Sequence, residues 1–314
     1  MITEKIDAVT KIPATHLHEE IPAPKSVKIE LSPRCNYRCG FCALRTRENQ
    51  PTKDMDFALF QRITTQMYQA GVEEIGMFYL GESMMNVPLL AKAIKWCKDL
   101  GFPYTFLTTN GSLATKGAVK QIMQAGLDSL KFSVNMFSED QFKEIVDVAP
   151  KLYWKSLENI KGAWEVRQEG YDTKIYASSI KFDGVQDEAM EAVLNEYVRP
   201  YVDQHYWLPL YSMGAFATDR EEELGYKPIA GNQGRIGALR EPLPCWSVFT
   251  EGHVTAEGLL SACCFDANKN WIMGDLKKDT FMDAWNSPEF LALRAAHLSK
   301  NVSGTICEDC VAYK

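Results

Sequence analysis

The sequence predicts an α/β fold, a partial (β/α)6 TIM-like barrel followed by a small C-terminal segment. Three observations carry this. Six short apolar runs alternate with stretches of helical periodicity, the chemically distinctive turns follow those runs, and the composition breaks after Gly214, ahead of a second group of cysteines. Strand–helix alternation of this kind gives parallel β-α units with right-handed crossovers. In parallel barrels the working residues sit at the C-terminal ends of the strands.

Residues 1–25 are polar, carry Pro13, Pro22 and Pro24, and read as an N-terminal extension. The barrel is expected over 26–214. Val27–Leu31 is the first strand. Asp56–Ala70 reads as an amphipathic helix, with Phe57, Leu59, Phe60, Ile63 and Met67 near helical spacing. Glu74–Leu80 is a strand, and Val87–Leu100 a helix closed by Gly101. Tyr104–Thr109 is the third strand, with a helix over Ala118–Ala125 ending at Gly126. Ser129–Val134 is the fourth, followed by helices from Glu139 and over Leu157–Gln168. Lys174–Lys181, a helix over Glu188–Val198 and Gln204–Leu210 complete the barrel. Residues 215–243 are charged and glycine-bearing (Asp219, Arg220, Glu221–Glu223, Gly231, Gly234, Arg235, Gly237) and read as a linker or lid. In 244–314 we expect a hairpin over Ser247–Ala262, with turn signals at Glu251-Gly252 and Glu257-Gly258, and a helix over Thr280–Leu298.

Chemistry enters directly after the first strand. Cys35, Cys39 and Cys42 lie in Ser-Pro-Arg-Cys-Asn-Tyr-Arg-Cys-Gly-Phe-Cys, a Cys-x3-Cys-x2-Cys spacing. Three thiolates this close cap three corners of an iron–sulfur cube and leave the fourth iron open to a small molecule. A closed structural site supplies four ligands, and zinc motifs usually pair Cys-x2-4-Cys with a second pair further on. Nine cysteines is an odd count, and the start of the chain has no apolar signal region, so a disulfide framework is disfavoured.

This motif, with Phe41 before the third cysteine, resembles that of the radical S-adenosylmethionine superfamily. The resemblance implies that the open iron chelates the methionine moiety of S-adenosylmethionine (SAM). Electron transfer then releases a 5′-deoxyadenosyl radical, which abstracts hydrogen from a substrate. The cofactor carries that chemistry and the protein orients it. Tyr79-Leu80-Gly81-Glu82-Ser83 resembles the family's Gly-Gly-Glu-Pro segment, with Leu80 and Ser83 replacing the first glycine and the proline. Gly81, Glu82 and Ser83 are thereby implied as contacts of the methionine amino group. Thr108-Thr109-Asn110-Gly111 resembles the family's Thr-Asn-Gly turn, which adds Thr109 and Asn110. In Ser133-Val134-Asn135, Ser133 is the implied contact to the cofactor's carboxylate or ribose, and Asn135 departs from the family's acidic residue. Ser179 and Lys181 on the fifth strand could reach the site, although the sequence does not fix the inward phase there. Tyr211, after the sixth strand, falls where the family contacts adenine. Taken singly, Gly-Glu-Ser and Thr-Asn-Gly are ordinary turn chemistry; their weight comes from falling where the barrel puts its rim.

The second cysteine group runs Cys245, x17, Cys263-Cys264, x42, Cys307-x2-Cys310. Donor chemistry alone admits zinc or a second iron–sulfur cluster, but a four-cysteine zinc ribbon carries two Cys-x2-Cys knuckles and this segment has one. The order resembles the twitch domain, the shortened form of the SPASM extension of the same superfamily. The resemblance implies one auxiliary [4Fe–4S] cluster on Cys245, Cys263, Cys307 and Cys310, with Cys264 as the alternative to Cys263. A Cys264 that is not a ligand lies beside that cluster as a candidate hydrogen-atom donor; simple packing behind the hairpin is the plainer reading. Cys97 reads as a buried, small apolar residue within a helix.

At 314 residues and 46% hydrophobic the chain buries a sizeable core. A net charge of −7 and pI near 5.4 disfavour a nucleic-acid groove. No apolar run approaches 20 residues, so no membrane span is expected, and a cytoplasmic location is. Two clusters imply redox logic. The expected reaction is a net two-electron, dehydrogenase-like oxidation of a small-molecule alcohol, such as a sugar, an aminocyclitol or an amino-acid-like compound. The resemblance also implies an electron donor such as flavodoxin or ferredoxin. The alternative is a maturase that cross-links or epimerises a peptide; against it, few residues precede the first strand, where such relatives often carry a peptide-binding domain. A third class, a non-catalytic iron–sulfur electron-transfer protein, is opposed by the open cluster corner and the rim motifs.

Overall fold

The computed structural model describes residues 1–44, 50–182, 187–211, 230–266, 269–308 and 310. Six strands alternate with helices: β1 (Ser26–Ile29), β2 (Glu74–Gly76), β3 (Tyr104–Thr109), β4 (Ser129–Ser133), β5 (Lys174–Lys181) and β6 (Gln204–Pro209). Each pairs in parallel with the next. Between them run α2 (Phe57–Ala70), α3 (Val87–Leu100), α4 (Lys116–Gln124), α5 (Glu139–Val146), α6 (Lys151–Arg167) and α7 (Asp187–Val193). Local chemistry sets the helix ends. Asp56, Asn86, Thr115 and Ser138 accept hydrogen bonds from the first free backbone N–H groups of α2, α3, α4 and α5. Gly71 and Gly101 terminate α2 and α3 in the left-handed conformation that glycine adopts without strain.

Side chains alternate across the strands. Leu107, Leu130, Phe132, Ile175 and Ala177 face the helices in the main core. Tyr104, Phe106 and Thr108 of β3, Ser129 and Lys131 of β4, and Tyr206 and Leu208 of β6 face the barrel interior. Cys97 is buried in α3, as expected.

The structure corrects several boundaries. The N-terminal segment is not simply an extension: α1 (Ile2–Val9) packs Ile2 against Tyr176 and Tyr206 and closes the end of the barrel where the strands begin. Its apolar stripe, Ile2, Ile6 and Val9, is diluted among polar residues. Part of the expected linker, including Asp219, Arg220 and Glu221–Glu223, lies outside the described residues. The part from Ala230 onward docks on α1: the Arg235 guanidinium pairs with Asp7 at 2.6 and 2.9 Å, and Arg240 donates to the Asp7 carbonyl.

Beyond the barrel come α8 (Ser247–Thr250), β7 (Glu251–Val254), β8 (Leu259–Ser261), β9 (Ile272–Asp275), α9 (Phe281–Trp285) and α10 (Pro288–Leu298). β7 pairs in parallel with β1, and β8 and β9 follow antiparallel, so the sheet order is β6-β5-β4-β3-β2-β1-β7-β8-β9. Glu251-Gly252 is therefore strand and not turn, whereas Gly258, at φ +81°, makes the expected hairpin turn. The helix expected over Thr280–Leu298 breaks at Ser287, which caps α10 ahead of Pro288. Among the described residues no helix is long and apolar enough to cross a membrane.

Arg294 of α10 is buried. It donates to the carbonyls of Val248, Glu19 and Trp285 and to the Asn286 side chain, with its guanidinium over the Trp285 and Phe290 rings. Arg294→Leu strands the buried Val248 and Trp285 carbonyls without a donor. The expected cost is about 3 kcal/mol, read as a lower midpoint in anaerobic chemical denaturation.

Candidate functional site

Leaving β1, the chain folds Cys35, Cys39 and Cys42 around a cavity of about 290 Å³, with Arg34, Tyr37 and Arg38 beside them. The loop is fastened to the end of α5, where the Arg38 and Gly40 amides donate to the Val146 and Ile145 carbonyls. The Tyr37 amide donates to Cys35 Sγ at 3.4 Å, and Asn110 Nδ2 lies 4.0 Å from the same sulfur. Burial pushes the Cys35 thiol up to about 12 and raises that of Cys42. Such thiols ionise when a cationic centre offsets the cost of burying the charge. Among the described residues no group of three or more His, Cys, Asp or Glu side chains is set to hold a single metal ion. A soft, all-sulfur donor set around a cavity of this size fits an iron–sulfur cluster, which brings its own bulk and positive charge.

The rim motifs assemble next to this loop. Glu82 is buried; its Oε1 accepts from Thr109 Oγ1 at 2.7 Å and the Met84 amide at 3.0 Å, and its Oε2 from the Asn110 amide at 2.7 Å. Burial raises its carboxyl despite these donors. Glu82 thus joins the turns after β2 and β3, with both oxygens engaged inside the rim. Ser83 Oγ donates to the Met77 carbonyl at 2.5 Å. Asn110 reaches Asn36 of the cysteine loop at 2.9 Å. Phe41 packs edge-on to Phe182, 6.0 Å between centroids. Ser133 takes the inward phase of β4, two residues beyond Lys131, and Asn135 Oδ1 accepts from the Ile180 amide at 3.1 Å, tying β4 to β5. Tyr211 lines the barrel cavity, donates to the Gly234 carbonyl and packs against Phe265.

Ser179 departs from the expectation. Tyr206 and Leu208 face inward and pair in register with Ser178 and Ile180, so Ser178 takes the inward position. Ser179 lies opposite Trp207 on the outer face and is hydrogen-bonded to His205 Nε2 at 2.9 Å. Lys181 is exposed.

The C-terminal cysteines divide in an informative way. Burial pushes the Cys307 thiol up, and Cys263, Cys245 and Cys310 push it further; Cys264 is not among the groups acting on it. His297, to which the sequence assigned no role, bridges two members of this group. Its Nδ1 accepts from the Cys245 amide at 3.1 Å, and its Nε2 lies 3.4 Å from Cys307 Sγ. Burial lowers the ring to about 4, so it is neutral, and with Nδ1 accepting, the proton sits on Nε2 and points at the sulfur. Cys264 Sγ instead accepts from Asn232 Nδ2 at 3.4 Å and lines the barrel cavity.

That cavity, about 240 Å³, runs from α1 up the barrel interior to Cys264. Its wall carries a buried cluster invisible to the sequence reading, because Glu251 was assigned to a turn. Lys28 Nζ lies 2.8 Å and His253 Nε2 2.9 Å from Glu251 Oε2. Burial alone would raise the Glu251 carboxyl; the Lys28 ammonium and the His253 ring outweigh it and hold the group at about 2.

Gly81 meets the cysteine loop backbone to backbone. A Cβ there would collide with the Ser32 carbonyl oxygen and lie 2.8 Å from Pro33 C and 2.9 Å from Arg34 O. Backbone cannot yield as a side chain does, so Gly81→Ala is expected to displace the loop that carries Cys35. Iron should fall from about eight to about four per chain; a variant retaining full iron and full SAM cleavage contradicts this.

The model of the Radical SAM superfamily matches residues 29–196, more than half of the chain, and that of an iron–sulfur cluster-binding domain, SPASM, matches 245–311. GTP 3′,8-cyclase of Lactiplantibacillus plantarum is 25% identical over 282 residues, 76% of this chain and 79% of that protein. PqqA peptide cyclase of Methylobacterium nodulans is 30% identical over 113 residues, 36% of this chain and 29% of that one. An uncharacterized Methanocaldococcus jannaschii protein is 29% identical over 133 residues, and there too the match spans under half of the relative, 41%. Streptococcus suis SuiB bound to its precursor peptide SuiA has a TM-score of 0.68 at 16% identity, over 94% of this chain and 71% of that one. BtrN in complex with AdoMet and 2-DOIA has a TM-score of 0.56 at 14% identity, over 87% and 86%. At these identities the structures establish the shared fold. The cofactors that belong with the two domains are SAM and two [4Fe–4S] clusters. The chain is a member of the radical SAM superfamily and carries the SPASM iron–sulfur cluster-binding domain.

Proposed function

We propose that this radical SAM enzyme carries out the net two-electron oxidation of a small-molecule alcohol: a sugar, an aminocyclitol or an amino-acid-like compound. The observation that carries this reading is the placement of the second cysteine group. Cys263, Cys245 and Cys310 all act on the Cys307 thiol, and the adjoining Cys264 lines the barrel cavity, so a redox centre held by this group would adjoin the substrate space. When bound, the cofactors supply a 5′-deoxyadenosyl radical to take a hydrogen atom and an auxiliary cluster to accept the electron the substrate then gives up. The chain's residues position and enclose. In this assignment Cys35, Cys39 and Cys42 hold the SAM-binding cluster, with Phe41, the turns at Gly81–Ser83 and Thr109–Asn110, and Ser133 around the cofactor. Residues 26–214 form the barrel unit and 244–314 the auxiliary unit. A cavity of about 240 Å³ closed at one end by α1 suits a small molecule more than a peptide. SuiB, seen with a precursor peptide, supports the second reading, peptide modification.

Anaerobic reconstitution followed by SAM and dithionite tests the core of the proposal: 5′-deoxyadenosine must form, and none forms if the chain only transfers electrons. With deuterated alcohol candidates, deuterium should appear in 5′-deoxyadenosine and a carbonyl in the product. Deuterium transfer from a peptide instead selects the peptide reading. For the second cluster, Cys263→Ala is expected to lower iron from about eight to about four per chain, while Cys264→Ala retains about eight. The reverse pattern would exchange their roles.

A further inference from the structure

The barrel cavity carries a charge opposite to that of the whole molecule. The chain has a net charge of −7, yet the lining holds Lys5, Lys28, Lys131 and Arg235 against Glu74 and Glu251. Most of these cations are engaged. Lys28 pairs with Glu251 at 2.8 Å, Arg235 pairs with Asp7 at 2.6 Å, and Lys5 Nζ sits 3.8 Å from the Tyr104 ring centroid and interacts with Glu74.

Lys131 is different. It lies half-buried mid-strand on β4, facing the cavity, and among the described residues it forms no ion pair; the Tyr206 ring centroid is 5.7 Å from its Nζ. Burial and then the neighbouring Lys28 ammonium push its amine down to about 7, and no carboxylate acts against them. Held this way, the amine keeps its proton only at a cost, and an anion beside it would restore the charged form. The Tyr206 ring lies beside it, Thr108 of β3 and Tyr176 of β5 pair with it in register, and the Tyr104 and Phe106 rings line the same cavity. Lys131 thus faces a cavity with room for an anion beside its amine.

Building on the proposed oxidation at this site, we infer that the substrate carries an anionic group, a carboxylate or a phosphate, which enters the barrel and pairs with Lys131. Lys131 precedes Ser133 by one inward step and lies between the rim and α1, so the anionic end is held deep and the reacting end is left toward the rim. The aromatic walls take the faces of the substrate between them.

The test uses the anaerobic holoenzyme with three probes: acetate, inorganic phosphate and neutral acetamide. Saturation-transfer NMR reads acetate and acetamide, and the 31P line width reads phosphate. One anion is expected to bind and acetamide not, with Lys131→Met weakening that anion at least tenfold and Lys131→Arg retaining it. Acetate binding identifies a carboxylate and phosphate binding a phosphate group. Replacing this half-buried amine by an apolar side chain should leave the melting temperature of Lys131→Met no lower than that of the wild type, which separates lost binding from lost folding. The inference is overturned if neither anion binds, if Lys131→Met binds them as the wild type does, or if it loses SAM affinity in equilibrium dialysis while keeping the anion. Substrate-free formation of 5′-deoxyadenosine by the wild type is scored separately; its absence removes the radical reading and leaves the anion result standing.

Discussion

β1 is hydrogen-bonded along both edges, to β2 on one side and to β7 on the other, and the rest of the molecule is arranged around that double pairing. The Lys28–Glu251–His253 cluster bridges the β1–β7 seam. Glu30, just past β1, is buried and takes the Gly81 amide on one carboxylate oxygen and the Ala256 amide on the other. One side chain therefore fixes the rim turn after β2 and the hairpin turn after β7 relative to each other. A buried charge network of this kind adds little net stability as a pair but costs several kcal/mol when one partner is lost, about 3–5. It defines a single register for the seam, and both cysteine groups inherit their positions from it: Cys35 follows β1 directly, and Cys263 follows the β7–β8 hairpin.

The vicinal cysteines show how this geometry becomes chemistry. After β8 the chain turns, and the Cys263 and Cys264 thiols stay in contact with each other while Cys263 also acts on Cys307 and Cys264 lines the barrel cavity. The turn that follows is held by Asp266, which accepts from the Asn270 and Trp271 amides and from Ser261 Oγ. Tyr79, beside the Gly81 rim, donates to the Cys263 carbonyl at 2.9 Å. The barrel rim and the C-terminal cysteines are thus in direct contact through one hydroxyl, and Cys264, next in sequence to Cys263, lines the barrel cavity.

Features that depend on local sequence were legible. Strand–helix alternation, the closing glycines Gly101 and Gly126, and the turns at Gly81–Glu82 and Thr109–Asn110 each rest on a few adjacent residues; β2, however, stops at Gly76, short of the expected Leu80, and Gly81 follows in the loop beyond it. What was not legible depends on pairing at a distance. Ser179 and Ser178 are equivalent until β6 fixes which of them faces inward. Glu251-Gly252 has turn chemistry and becomes strand only because β1 offers an open edge; there Gly252 places a Cβ position 3.2 Å from Val27, where a larger residue would crowd. His297 and Arg294 are separated in sequence from the groups they bind. The stripe Ile2, Ile6 and Val9 is too sparse to announce a helix until Tyr176 and Tyr206 cover it.

The same distinction separates two kinds of buried cation in this molecule. Arg294 and Lys28 are expensive to bury, and each is matched by partners from segments far apart in sequence, so the fold specifies them. Lys131, half-buried on the cavity wall, has no such match among the described residues. Lys28, the cation that acts on it, is held by Glu251 of β7, which is committed to the seam. Glu251 cannot turn to Lys131 without releasing Lys28 into the same low-dielectric space, where an unpaired charge is costly. In the reading proposed here, the place beside Lys131 that no carboxylate of the described residues fills is the one a substrate anion takes.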